Sequence, residues 1–94
     1  MTTELLDAVV RQAGSSFDKK GTAKLPEDTT ITLHVAHDGA GLTVARVVSL
    51  TVKGEIVSAE DDKGERYVLS SKDVFAATVA AEDRSSARKA GFLR

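Results

Sequence analysis

The two histidines of the chain lie three residues apart and run into an aspartate, in the stretch His34-Val35-Ala36-His37-Asp38. Imidazoles this close to a carboxylate are the raw material of a metal site or an acid–base pair. The spacing argues against both. Flanking residues alternate between apolar and polar, and on a strand residues three apart point to opposite faces, so the rings converge only if the chain turns between them. Cysteine is absent, so a zinc site would need both histidines plus carboxylates from elsewhere. The expectation is a solvent-facing His34 and a hairpin-end His37-Asp38 in an Asx-type turn, with no metal and no cofactor.

Glu60, Asp61, Asp62 and Glu65 gather negative charge in one short stretch. Calcium requires a loop that presents six to eight oxygens, roughly, with a bidentate glutamate at its end, and that spacing is missing. A solvated turn is expected. Serines are plentiful, but none sits in a GxSxG setting, and the phosphate-cradling patterns GxxxxGK[ST] and GxGxxG do not occur. Catalysis is therefore not expected. Arg84, Arg88, Lys89 and Arg94 place four cations and no anion in the last eleven residues. They are the candidate partner-binding residues, suited to phosphates or an acidic protein surface, although charge compensation at a helix end and solubility are the simpler and favoured explanation.

Arg46 raises a different question. In LTVARVVSLTV, from Leu42 to Val52, positions 42, 44, 48, 50 and 52 form an alternating apolar row that the arginine interrupts. On a straight strand it would enter the core at a cost on the order of several kcal/mol. A β-bulge near Arg46 to Val48 shifts the phase, returns the guanidinium to solvent and bends the strand sharply. The arginine then reports curvature rather than chemistry.

Length and composition bound the frame in which these residues sit. Ninety-four residues, 41% hydrophobic and 29% charged, make one small folded domain with a modest core. A net charge of −1 gives no overall attraction to nucleic acid or membrane. No apolar run reaches the length of a membrane span, and the acidic start MTTELLDAVV is unlike a signal peptide, so a cytoplasmic protein is expected. Aromatics are scarce, at 4%, which disfavours a base-stacking platform or a proline-peptide groove.

Residues 4–13 predict a helix with Leu5, Leu6, Val9, Val10 and Ala13 on one face, Thr3 as N-cap and Gly14 as its stop. Residues 14–29 read as a connecting loop, whose length points either to a functional role or to a hidden short strand near Phe17. From Thr30 the period becomes two. Hairpins are expected to join 31–36 with 42–48 across His37-Asp38-Gly39-Ala40-Gly41, and 55–60 with 65–70 across a type I turn that ends on Gly64. Gly54 permits a tight turn or a second bend. A tight turn then leads to a final strand over about 74–80, although Ala76, Ala77, Ala80 and Ala81 equally suit a helix capped by Ser71, and a basic tail over 82–94 reads as helical or flexible. The whole is mainly β. Residues 30–80 resemble, in outline only, an SH3-like or Sm-like five-stranded small barrel. The expected function is a non-enzymatic protein–protein interaction or regulatory adaptor module. The alternative is a nucleic-acid-binding accessory protein that uses the tail, and a third reading is a small-molecule or metal sensor centred on His34 and His37.

Overall fold

A computed structural model describes residues 1–81 of the chain. It contains helix α1 (Thr3–Gln12), strands β1 (Thr22–Lys24), β2 (Thr29–His37), β3 (Ala40–Lys53), β4 (Ile56–Asp61) and β5 (Arg66–Ser70), a 3-10 turn (Ser71–Asp73), and strand β6 (Val74–Ala81). All strand pairs are antiparallel.

α1 begins one residue earlier than the sequence suggests. Thr2, not Thr3, is the cap, and its Oγ1 accepts from the Leu5 N–H at 3.1 Å. Leu6, Val10 and Ala13 are buried, but Leu5 turns out to solvent. A helix this short is held by docking of its apolar face rather than by propensity. The predicted loop over 14–29 is also corrected. Its hidden strand is β1, not a segment at Phe17, and it pairs Thr22, Ala23 and Lys24 with Thr51, Leu50 and Ser49. Gly21 permits this approach, because a Cβ there would lie 2.5 Å from the Val52 carbonyl oxygen.

Three tight turns build the meander. Asp38 and Gly39 both take positive φ and connect His37 to Ala40, as a type I′ hairpin requires. Gly54-Glu55 joins β3 to β4, so Gly54 marks a turn rather than a bend. At the third turn the Gly64 N–H donates to the Asp61 carbonyl and the Asp61 N–H to that of Glu65, the expected type I turn with a glycine bulge.

β3 is the strand on which the fold depends. Between Ile31 and Leu33 on β2 there is one residue, whereas between their partners Val47 and Val44 there are two, so a bulge lies at Ala45-Arg46. A second register shift, against β4, falls at Val48. These irregularities re-aim the strand so that Val44, Val47 and Leu50 are all buried. One edge of β3 takes β2 and then β1, while the other takes β4 only from Val47 onward. Two half-sheets therefore share one bent strand, and their inner faces meet α1 in one apolar cluster.

The strand order is β5-β4-β3-β2-β6, with β1 beside β3, and β5 does not pair with β6. The expected closed five-stranded barrel is thus an open six-stranded sheet. Closure needs strand tilt and stagger to agree all round. Here α1, packed beside β6, completes the core instead.

Candidate functional site

The histidines do not meet. His34 lies on the outer face of β2, where its Nε2 is 3.0 Å from Thr78 Oγ1 on β6 and its ring is 6.2 Å from that of Phe75. His37 stands at the hairpin end. Its Nδ1 is 3.0 Å from Asp73 Oδ1 in the 3-10 turn and its Nε2 is 3.2 Å from Asp38 Oδ2. Both ring nitrogens face carboxylates, which ties the β2–β3 hairpin tip to the turn that launches β6. Among the described residues no group of three His, Cys, Asp or Glu side chains is placed to hold a metal ion.

The acidic hairpin is structural at its centre. Asp61 is buried, and its Oδ1 accepts from the backbone N–H groups of Lys63 and Glu65, each at 2.9 Å. Asp62 reaches across to Arg46, whose Nε donates to its carboxylate, while the Asp62 N–H donates to the Arg46 carbonyl. The Arg46 side chain is 53% exposed, as the bulge argument requires. Glu65, followed by burial and Asp61, pushes the Tyr67 phenol above its ordinary value, because a second negative charge is unwelcome there. Nothing in this cluster resembles a catalytic pair. It is a turn clamped to a bulge.

The feature most suited to binding is apolar. Phe75 is 67% exposed and Leu42 51% exposed, and with Ala36, Ala40 and His34 they line a shallow cleft of about 320 Å³ beside the β2–β3 hairpin. Phe75 projects because the register between β6 and β2 shifts there: Val74 pairs with Val35 and Ala76 with His34, leaving Phe75 between them. Neither Phe75 nor Leu42 stood out in the sequence as a site residue. A bulky aromatic next to a buried Val74 in an alternating strand was the available signal.

A second trough is lined mainly by polar side chains. Thr22, Lys24, Ser49, Thr51, Ser58, Glu60 and Arg66 line it on the outer side of β1, β3, β4 and β5. The register sets Glu60 beside Arg66, an ordinary cross-strand charge pairing.

Arg84, Arg88, Lys89 and Arg94 lie outside the described residues, as does the whole tail from 82 to 94. Among the described residues no helix is long and apolar enough to cross a membrane. No protein-family model matches the chain, no curated protein matches it in sequence, and no solved structure matches it.

Proposed function

We infer that the protein is a non-enzymatic interaction module that recognises another protein through the exposed surface around Phe75 and Leu42. The observation that carries this reading is Phe75 itself, held outward by a register shift in a strand whose other face is core. An aromatic anchor beside aliphatic and small residues, with a polar His34 at its rim, is the usual make-up of a protein-binding hot spot. The scaffold reads as an opened variant of the SH3-like or Sm-like small barrel. The long bulged β3 and the 3-10 turn before the last strand support that reading, and the protein works in the cytoplasm. The tail cations Arg84, Arg88, Lys89 and Arg94 favour a nucleic-acid partner only by composition, so this stays the second reading.

Affinity capture from cells, with and without nuclease, tests the choice. A partner that survives nuclease and is lost with Phe75→Asp or Leu42→Asp, while the variants stay folded by circular dichroism, is expected. Recovery that nuclease abolishes, or that neither variant reduces, overturns the reading.

A further inference from the structure

The ladder between β4 and β5 determines which backbone groups the end of the sheet presents. In an antiparallel pair, hydrogen-bonded and non-bonded residue pairs alternate. The Asp61 N–H donates to the Glu65 carbonyl at one end of this ladder, and the Ser71 N–H donates to the Glu55 carbonyl at the other. With the register running from Glu60↔Arg66 to Ile56↔Ser70, the bonded pairs between them are Ala59↔Tyr67 and Val57↔Leu69. Arg66, Val68 and Ser70 therefore turn both N–H and C=O away from β4. Among the described residues no strand pairs with that edge.

Natural sheets blunt such an edge with proline, lysine, a bulge or an inward charge. β5 reads RYVLS and pairs with β4 in unbroken register, so it has no proline, bulge or inward charge, and its one charged side chain, Arg66, stands at the strand end. Val68, at 71%, is the most exposed large hydrophobic residue among those described.

We propose that β5 pairs with β5 of a second copy about a two-fold axis through Val68, joining two sheets into one. Val68 then faces its counterpart, and each Arg66 faces a Ser70, so all the outward backbone groups of the three residues find partners. The one charge on the strand sits at its end, so the axis keeps the two guanidiniums apart and no like charges meet.

The faces select this occupant. The two-residue turn makes His37↔Ala40 a bonded pair, hence also Val35↔Leu42 and Leu33↔Val44. Thr32 and His34 then bond to β6, leaving Ala77 and Val79, on the inner face, to present the free groups of that edge. On β5 the free groups belong to outer-face residues. Antiparallel pairing of β5 with β6 of another copy would join an inner face to an outer one, whereas self-pairing of β5 keeps the faces matched. β6 is also flanked by α1. Strands this short bury less than the roughly 1,200 Å² of a stable interface, so the dimer is weak and concentration-dependent.

Sedimentation equilibrium of the full chain up to about 1 mM, a range in which weak complexes are read, tests the proposal alongside two variants. Val68→Pro removes an N–H that bonds nothing among the described residues, and Val68→Lys sets two ammonium groups opposite each other. The wild type should associate as concentration rises, and both variants should stay monomeric with unchanged circular dichroism. The chain has no cysteine, so Val68→Cys supplies an independent readout. Bonded pairs lie about 5.5 Å apart at Cα, within disulfide range, and Val68→Cys should oxidise to a linked dimer faster than Thr30→Cys on the other half-sheet. A wild type that stays monomeric at about 1 mM, association unchanged in folded Val68→Lys, or equal crosslinking of the two cysteine variants overturns it. Phe75 and Leu42 take no part in this edge, so either proposal can fail alone.

Discussion

At φ +59° the backbone of Arg46 occupies the left-handed region, which costs a side chain with a Cβ about 1 to 2 kcal/mol. Its exposed ion pair with Asp62 returns about 0.2 to 1 kcal/mol. The strain exceeds the pair, and glycine's entropic cost of about 0.5 to 1 kcal/mol closes the gap, which fixes the expected mutant series. Arg46→Gly, which relieves the backbone and loses the pair, should lie within about 0.5 kcal/mol of wild type in chemical denaturation. Arg46→Ala, which keeps the strain, should lose up to about 1 kcal/mol, against about 2 to 5 kcal/mol for Leu50→Ala in the core. Damage from Arg46→Ala equal to that from Leu50→Ala would show the guanidinium to be part of the packed interior. Asp18 supplies a pH prediction. Its carboxylate accepts from the backbone N–H groups of Thr22 and Lys20, and these bonds, Thr22 first, hold it below the ordinary 3.8. A lowered folded-state value means that its stabilisation is complete above the ordinary 3.8 and is lost as pH falls from there through the folded-state value. Acid titration of stability should therefore be shallower below about pH 4 in Asp18→Asn than in wild type.

The bonding pattern of β5 makes a residue-by-residue prediction for the element. In dilute solution the amides of Tyr67 and Leu69 should exchange slowly and those of Arg66, Val68 and Ser70 quickly, as hydrogen exchange followed by NMR would report. The reverse alternation would mean that the ladder is out of phase by one residue. How far the elements were legible depends on the range of the forces that set them. Asp38-Gly39 and Gly64 announce their turns because positive φ is a local demand, and Arg46 announces its bulge by falling in an apolar row. β1 escaped because three residues carry no period, and only Ala23 of them is buried. Phe75 escaped because its exposure arises from a register shift against a strand far away in sequence. His37 was legible as a turn residue, but its bond to Asp73 was not, since only the fold brings them together. The open sheet was illegible for the same reason, as closure depends on tilt and stagger that no short window encodes.

For the whole molecule, the distribution of charge decides between the two functional readings. If Arg84, Arg88, Lys89 and Arg94 gripped phosphates, affinity would fall with salt at a slope of at most about 0.9 per contact, and a chain truncated after Asp83 would lose it. Titration of labelled single-stranded RNA and duplex DNA is expected to show nothing tighter than the nonspecific range of about 10⁻⁴ to 10⁻⁶ M at physiological salt, with or without the tail. Tight, tail-dependent binding would instead favour the nucleic-acid reading. The pairing of β2 with β6 has a consequence in time. Every other strand pair along the β2 to β5 meander joins chain neighbours across a tight turn, but this ladder runs from Val35↔Val74 to Thr29↔Ala81 and must wait for the segment between to collapse. The meander is the natural nucleus and β6 the latecomer. Until β6 arrives, β2 presents an open edge beside the apolar Ile31 and Leu33, so the late step of folding is also one during which the chain is prone to pair with another.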